Sequence, residues 1–373
     1  MPNGAKPPAN SQTKSIGLHA LIARLPQNAE HPPIAVPQGD AFSTEAAPVD
    51  GYVEPKLEVQ LWPSGATVIL IEAPGAVGKT TAAESLAARL RWPLVRTEKA
   101  RVGSYSLSGL IQDALGFSSD YMRDIAEGNS GVVLDSLDEA HFRVGTENFL
   151  AFLQNVQSAS GARASTNNRA PSIVLFSRTD TADLVRISFE EADLPLAHLT
   201  LSFFDRSASN AFVESYLRRR FRDTGRPEYN VALAHSSSFR RLRDERFTQV
   251  MKVLRRNRDA DLDADWKLSE DFLGYAPVLI ALAESLAVPN PSAERQAIQD
   301  ALAHNENDLL IEIVRKILDR EQNKFAGQIQ AKLESLRTRA EITSFSGVGS
   351  ATVLLWRSWW TRWRDGMRCC VRI

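Results

Sequence analysis

The sequence predicts an α/β fold, in which a doubly wound parallel sheet is followed by an α-helical region. Short β-branched runs alternate with amphipathic segments between about residues 51 and 205, as in βαβ units. After about residue 205 such runs nearly vanish, and the chain becomes rich in Arg, Leu and Ala. A length of 373 residues, 43% of them hydrophobic, is enough for about two to three globular domains.

Five apolar runs predict the strands of this sheet, and turn residues or helical patterns bound each of them. In chain order they are ATVILIEAP, PLVRT, GVVLD, SIVLFSRTD and LAHLTLSFF. Segments with apolar residues three or four positions apart predict helices between them, namely KTTAAESLAARL, SLSGLIQDALGF and TENFLAFLQNVQ. This alternation is typical of a doubly wound sheet.

Composition divides the chain into four parts. Residues 1–50 hold many Pro, Ala, Asn and Ser and predict a flexible leader, with one short helix around SIGLHALIARL. Residues 51–205 form the predicted α/β domain, and residues 206–342 form the helical region. Residues 343–373 form an atypical Trp/Arg-rich tail, with four of the seven Trp residues and a single acidic residue, Asp365. This abrupt change suits an out-of-frame or truncated end.

Charge and cysteine content narrow the classes of protein. The formal net charge of −1 argues against generic binding to nucleic acid or anionic membranes. The two cysteines, Cys369 and Cys370, are adjacent and cannot cross-link a fold, which favours a reducing compartment. The segment MPNGAKPPANSQTK lacks the apolar core of a signal peptide, and no run reaches the ~18–20 apolar residues of a membrane span. We therefore expect a cytoplasmic protein.

The stretch APGAVGKTT, residues 73–81, fits the phosphate-binding spacing G-x-x-x-x-G-K-S/T, with Ala73 at the first position. Glycines let the backbone approach an anion, and N–H groups of the loop and of the helix N-terminus then point at phosphate oxygens. Lys79 is expected to reach the β- and γ-phosphates, and Thr80 to bind Mg²⁺ through its hydroxyl. The predicted nucleotide contacts are Pro74, Gly75, Ala76, Val77, Gly78, Lys79, Thr80 and Thr81.

Three carboxylates crowd the end of the third predicted strand, in GVVLDSLDEAH. This strand is expected to lie beside the first one, so that Asp135 faces the Mg²⁺ held by Thr80, with water completing the contact. Asp138 or Glu139 then lies near the γ-phosphate, where a carboxylate can orient or deprotonate the attacking water. Glu139 is the preferred base and Asp138 its neighbour. The alternative is that both residues only cap a solvated helix.

The fourth predicted strand ends in FSRTD, at residues 176–180. Arg178 is expected to sense the γ-phosphate, because its charge is permanent and its donors form a fork. A rival interpretation takes residues 177–180 as a guanine-recognition motif, in which Asp180 would bind the base. GTPases also carry Gly three residues after the metal-linked Asp, and Asp138 occupies that position here, which favours ATP. The simplest alternative is a surface arginine that closes a strand.

Together these motifs resemble NACHT-type NTPases of the STAND class, which are signal-transducing P-loop ATPases. VVLDSLDEA is similar to the second phosphate-site motif of that class, and APGAVGKTT to its loop. Two later stretches resemble the segments around the helical lid, namely LTLSFFDRSASNAFVESYLRRRF and FLGYAPVLIALAESL. The resemblance covers about residues 60–290.

The resemblance implies a P-loop NTPase domain over 51–205 and a helical lid or winged-helix-like region over 206–342. It implies an ATP/ADP switch with Mg²⁺ and slow hydrolysis, and homo-oligomers in the ATP state. Family members carry an effector domain and a sensor, and neither is evident in this sequence. The chain is therefore expected to be a minimal member, a partner of a separate, unknown effector or sensor protein, or the product of a truncated gene. A role in bacterial defence or stress signalling is the family's suggestion. Pro277, in the Gly-x-Pro stretch, becomes a candidate adenine contact, although a proline that starts a helix explains it equally well.

Two other enzyme classes use the same loop. An AAA+-type ATPase would act mechanically on a protein or nucleic-acid substrate and would turn over quickly. A small-molecule kinase is disfavoured, because the carboxylate cluster places an activated water where an acceptor alcohol should bind.

Three further features of the sequence have both a functional and a structural interpretation. Residues 206–258 hold 13 Arg and one Lys against five acidic residues, which allows contact with nucleic acid. A solvated helical face is favoured instead, because no aromatic interleaving supports base stacking. The tail could lie on a membrane surface, although a poorly packed end is preferred. His141, near the predicted site, is expected to be incidental.

Overall fold

The computed structural model describes residues 14–26, 42–43, 51–100, 102–115, 120–161, 170–255 and 262–302, with a few positions between 311 and 322. Its secondary-structure elements all lie in one compact unit, Met1–Ile317. The predicted tail over 343–373 lies outside the described residues, as do most of the predicted leader and the end of the predicted helical region.

The described strands form one eight-stranded sheet. In chain order they are β1 (Lys14–Gly17), β2 (Phe42–Ser43), β3 (Lys56–Leu61), β4 (Val68–Glu72), β5 (Leu94–Arg96), β6 (Val132–Asp135), β7 (Ile173–Ser177) and β8 (Leu196–Leu201). Their order across the sheet is β1-β3-β8-β4-β7-β6-β5-β2. The neighbours β8, β4, β7, β6 and β5 are parallel, whereas β1, β3 and β2 pair antiparallel. The predicted α/β class with a mostly parallel sheet is confirmed.

Helices connect and follow these strands. In chain order they are α1 (Leu18–Ile22), α2 (Lys79–Leu90), α3 (Ser106–Leu115), α4 (Tyr121–Glu127), α5 (Leu137–Val144), α6 (Thr146–Ala159), α7 (Thr179–Glu191), α8 (Arg206–Thr224), the 3₁₀ helix η1 (Pro227–Asn230), α9 (Val231–Ala234), α10 (Ser236–Arg255), α11 (Leu262–Leu273), α12 (Ala276–Ser285) and α13 (Pro291–Leu302). We call the part up to residue 205 the α/β half, and α8 to α13 the helical half.

The lateral order of the strands differs from the prediction at one place. The strand ending at Asp135, β6, does not lie beside β4, because β7 pairs with both of them and separates them. All three strands are short, buried apolar runs, and such a run does not specify which neighbour it pairs with. As a consequence, Ser177 and Arg178 at the end of β7 lie between the loop after β4 and Asp135.

Helices cover both faces of the sheet, because alternate residues of a strand point to opposite sides. In β4, Ile69 and Ile71 pack in the same cluster as Leu86 of α2. Val68 and Leu70 pack on the other side, with apolar residues of α3 to α7. Burial on both faces explains why β4 is a continuous apolar run rather than an alternating one.

The prediction of a flexible leader is wrong for residues 14–26. There, β1 pairs with β3, and Leu18 and Leu21 of the predicted short helix are fully buried against the α2 face of the sheet. The strand β3 was missed as well, although its sequence KLEVQL alternates apolar and polar residues. The surrounding sequence is rich in Pro and Asn, so its composition does not reveal the few apolar residues that pack this segment against the sheet.

The helical half has its own apolar core, in which residues of α8, α10 and α12 meet. The described residues of 206–302 contain helices and no strand. The two halves meet where the Phe204 N–H donates to the Gly274 carbonyl oxygen at 3.1 Å. A Cβ on Gly274 would come within 2.2 Å of the Phe204 carbonyl oxygen, so this close approach requires glycine. Among the helices that the structure describes, none combines the length and apolar character needed to cross a bilayer.

Candidate functional site

The glycine loop, residues 73–80, connects β4 to α2 at the carboxyl edge of the sheet. Its backbone turns sharply, with φ of 60° at Ala76 and 101° at Gly78. Gly78 is also the N-cap residue of α2 and supplies no side chain, so the first N–H groups of that helix keep no side-chain acceptor. Val77 is buried and anchors the loop, while Pro74 and Thr80 are exposed. A loop with uncapped N–H groups over an open space is suited to an anion.

The Lys79 side chain lies inside the loop. Its ammonium nitrogen donates to the carbonyl oxygens of Ala73 at 3.1 Å and Pro74 at 3.0 Å, and the residue is only 9% exposed. Burial lowers the pKa of Lys79, although Asp138, Glu139 and Asp135 oppose this shift. The cation is therefore held by weak neutral acceptors, which phosphate oxygens could replace with a gain in charge pairing.

Asp135, the last residue of β6, is 1% exposed. Its Oδ2 accepts a long hydrogen bond from the Ser136 hydroxyl at 3.4 Å, and the Thr80 hydroxyl also donates to the carboxylate. Its Oδ1 is buried without a partner. Burial raises the pKa of Asp135 to about 6, and the nearby Glu98 acts in the same direction. The hydrogen bond from Thr80 and the charge of Lys79 oppose this shift without cancelling it.

The residues around Asp135 fit a magnesium ion. The unpartnered Oδ1 and the Thr80 hydroxyl, both hard oxygen donors, come together at the glycine loop. No cluster of three or more His, Cys, Asp or Glu able to hold a metal occurs in the described part of the chain. Mg²⁺ needs no such cage, because it binds through one or two protein ligands, several waters and the phosphates of its substrate.

The turn after Asp135 places two carboxylates above the loop. Ser136 adopts a left-handed conformation, with φ of 65°, so that α5 starts directly after the strand. Asp138 and Glu139 occupy the first turn of α5 and share a hydrogen bond. Burial raises the pKa of Glu139, and the charge of Asp138 adds to this effect. The side chains are 11% and 21% exposed, so they are not the solvated helix cap of the alternative interpretation.

Arg178 joins the carboxylates to the glycine loop. Its Nε lies 2.6 Å from Asp138 Oδ2, and its Nη2 lies 3.5 Å from Glu139 Oε1. A Cβ built on Gly75 would lie 3.7 Å from the Arg178 guanidinium carbon, so the guanidinium group lies next to the loop at this glycine. The insertion of β7 between β4 and β6 accounts for this position. A surface arginine that merely closes a strand would not bridge these two elements.

Other predicted residues lie farther from these contacts. Pro277 is buried in the first turn of α12 in the helical half, the position of a proline that starts a helix. Asp180, of the rival guanine motif, is exposed in the first turn of α7. His141 lies 3.1 Å from the Thr146 hydroxyl and stacks on Phe149, which gives it a structural role.

Sequence reasoning missed the segment that follows β5. The Thr97 hydroxyl donates to the Asp135 carbonyl oxygen at 2.6 Å and fixes the end of β6. Glu98 has a buried Oε2 without a partner and acts electrostatically on Asp135. Both residues follow the carboxyl end of a parallel strand, where ligand-binding residues of open α/β sheets concentrate. PLVRT is only a weak strand pattern, so the sequence did not indicate that functional residues follow it.

Comparison with protein-family models and with curated proteins finds no match to this sequence. The arrangement of charged groups at the carboxyl edge is therefore the basis for a function.

Proposed function

We propose that the chain binds ATP or ADP with Mg²⁺ and hydrolyses ATP slowly, as a NACHT-like signal-transduction NTPase of the STAND class. The observation that supports this most is the convergence of Lys79, Asp135, Glu139 and Arg178 at one glycine loop, because these are the types of group that a triphosphate and its metal need. In this proposal the α/β half is a P-loop NTPase core, and the helical half is its lid.

Each charged group has a distinct task in the proposed reaction. The loop N–H groups and Lys79 hold the β- and γ-phosphates. Thr80 and Asp135 would hold Mg²⁺, which neutralises charge on the phosphates. Glu139 accepts a proton from the attacking water, a task that its raised pKa favours. Asp138 orients Arg178, whose guanidinium binds the γ-phosphate.

The Arg178 contacts support slow turnover. Arg178 lies on both carboxylates, so ATP has to draw the guanidinium toward its γ-phosphate before Glu139 faces water alone. The hydrogen bond between Asp138 and Glu139 further competes with the water for the base. A machine-like AAA+ ATPase, the alternative, would require this exchange to be fast in every cycle.

The junction between the halves supports a switch. Gly274 contacts Phe204 through the backbone, and Tyr275, the N-cap residue of α12, packs its ring edge-on against Phe203. Pro277, two residues later, is the proposed adenine contact of the lid. Exchange of ADP for ATP would loosen this junction, permit homo-oligomers and engage an effector or sensor protein.

Nucleotide affinity tests the site directly. Lys79→Ala removes the one ammonium inside the loop, and we expect it to weaken ATP and ADP binding by at least about 3 kcal/mol, or more than a hundredfold. Isothermal titration calorimetry of the full chain with Mg²⁺ measures this. Lys267→Ala, an exposed lysine of α11, is the matched control and should bind normally. Unchanged affinity in Lys79→Ala would remove the basis of the proposal.

Turnover separates the two ATPase classes. Purified protein should release ADP on denaturation and hydrolyse ATP well below about 1 s⁻¹, under the range typical of enzymes. Rapid, sustained turnover would favour the AAA+ alternative, and release of GDP would overturn the preference for adenine.

A further inference from the structure

The helical half carries a dense arginine surface that the proposed nucleotide site does not use. Residues 218–241 contain seven arginines and two acidic residues, in a chain whose formal net charge is −1. Six of these arginines are exposed: Arg218, Arg219, Arg222, Arg226, Arg240 and Arg241. We call these six residues the arginine surface.

The arginine surface is one region of the fold. Four of its members lie on the last turns of α8 and just after its end at Thr224, and the other two lie on the second turn of α10. The elements between them bring these turns together, because α8 contacts η1 and α9, and α9 contacts α10. The arginine surface therefore spans neighbouring elements of the helical half.

The contacts of the arginine surface within the protein are weak ones: Arg222 lies 3.6 Å from the exposed Asp223, and Arg219 lies 5.9 Å from the centre of the Tyr216 ring. The arginine that ties α10 to α8 is Arg243, which is 6% exposed and lies 2.8 Å from Glu214. Arg218 also reaches Glu214, but at 3.7 Å and with a side chain 55% exposed, a geometry that contributes little. Like charges packed at this density repel one another and destabilise the fold unless an anion neutralises them.

The chemistry of the surface favours phosphate groups. Arginine binds phosphate with its planar fork, and the surface contains no lysine. Exposed Ser236 and Ser237 open α10 beside Arg240, and they add hydroxyl donors. None of the exposed side chains among the described residues 206–255 is Phe, Tyr or Trp, so no platform for stacking unpaired bases is present there.

We propose that the arginine surface binds the phosphate backbone of duplex nucleic acid, without reading its sequence. Backbone contacts need only cations and donors along a surface, whereas single strands are held mainly by stacking. Binding is independent of the glycine loop and of the proposed function, because the arginine surface belongs to the helical half and shares no residue with the nucleotide site. A 373-residue chain of nearly neutral net charge thus gains a local polyanion site.

Fluorescence anisotropy of the full chain with labelled 30-base-pair DNA and RNA duplexes tests the proposal. Each phosphate neutralised should contribute about −0.9 to the slope of the logarithm of the binding constant against the logarithm of the salt concentration. Six arginines therefore predict a slope of about −5. The variant Arg240→Gln with Arg241→Gln should weaken binding about tenfold at 50 mM KCl and reduce the slope by about 2. DNA and RNA arms show which duplex is preferred.

A matched variant separates local charge from total charge. Arg123→Gln with Arg186→Gln removes two exposed arginines of the α/β half and should bind the duplex within about twofold of the unaltered chain. Lys79→Ala should bind duplex normally, so failure of the nucleotide site and failure of this surface are distinguishable. Equal losses in both double variants, tighter binding to a single strand, or binding to phosphatidylserine vesicles but not to duplex would overturn the proposal.

Discussion

The two halves of the protein differ in how the oxygens of their buried and half-buried carboxylates are satisfied. In the helical half, the buried Arg243 contacts the half-buried Glu214 and Asp244, and the half-buried Glu284 accepts hydrogen bonds from Tyr216 and Tyr229. In the α/β half, carboxylate oxygens remain buried without a partner. Among the described residues, the oxygens in this condition belong to Glu98, Asp135 and Asp138.

This difference separates stability from function. The partners of a buried charge offset much of its desolvation cost, whereas a buried oxygen without a partner costs free energy that the rest of the fold must supply. Two of these three carboxylates, those of Asp135 and Asp138, act electrostatically on Lys79 of the glycine loop, and Glu98 acts on Asp135. Sites that bind ions are where such costs are expected. Substitutions that affect one half of the protein and spare the other test this difference.

The largest expected effect is on turnover. Glu139→Gln keeps the shape of the side chain but cannot accept a proton, so we expect kcat for ATP to fall about 10²–10⁴-fold while ATP affinity stays within about threefold. Phosphate release under single-turnover conditions and calorimetry measure the two quantities. Glu147→Gln, an exposed residue of α6, is the control. Normal turnover in Glu139→Gln would transfer the role of base to Asp138.

The second-largest expected effect is a loss of stability in the helical half. Arg243→Ala leaves Glu214 and Asp244 without their shared cation, and we expect the free energy of unfolding to fall by about 3 kcal/mol. Urea denaturation measures it, and nucleotide affinity should not change. Arg240→Ala, on the same helix but exposed, should cost less than about 0.5 kcal/mol. If the two variants lost equal stability, the helical half would not depend on its buried pairs.

The sequence predicted which segments form strands better than it predicted which strands lie side by side in the sheet. The apolar runs before Asp135 and Arg178 correspond to β6 and β7, because burial on both faces leaves a local pattern. The order of these strands across the sheet leaves no such pattern. The sequence therefore placed Asp135 beside the first strand, where β7 actually lies.

The same limit applies to the candidate site. The spacing in the glycine loop and the acid motif predicts which side chains reach the carboxyl edge, because strands end and helices begin there. It does not predict that Arg178 lies on Asp138, since the residues are far apart in the chain and their meeting depends on the inserted β7. Nor does it predict that Glu98, after a weak three-residue strand, joins the same cluster.

The third prediction concerns Asp135, whose substitution is expected to stabilise the protein rather than to destabilise it. Burial raises the pKa of Asp135 from 3.8 to about 6, so folding takes up a proton between about pH 4 and pH 6, and stability falls as the pH rises through that window. Without Mg²⁺ and nucleotide, Asp135→Asn should therefore be more stable at pH 7, by about 2–3 kcal/mol. The gain should vanish near pH 4.

Thermal unfolding in EDTA at several pH values measures this difference. The control is Asp271→Asn, an exposed residue of α11, which should change stability by less than about 0.5 kcal/mol at any pH. A variant Asp135→Asn that was less stable than the unaltered protein at pH 7 would show that the contacts of the carboxylate outweigh its cost of burial, and the functional interpretation of the unpartnered oxygen would then lose its support.

The smallest effect concerns an aspartate at the boundary between the halves. Asp205 is the N-cap residue of α8: its side chain accepts from the Ala208 N–H at 2.8 Å and lies 2.6 Å from the Lys56 ammonium. Burial alone would raise the pKa of Asp205, but these contacts outweigh it and lower the pKa. Its contribution to stability is therefore present above its unfolded pKa and lost as the pH falls through the folded one, opposite to Asp135.

Removal of this cap should cost about 1 kcal/mol at pH 7, and Asp205→Ala tests it by urea denaturation. Asp205→Asn keeps an acceptor for the Ala208 N–H and loses the ion pair, so it should retain most of the stability and lose the pH dependence. If Asp205 and Asp135 responded to pH with the same sign, partnered and unpartnered carboxylates would behave alike, and the contrast between the halves would not identify a site.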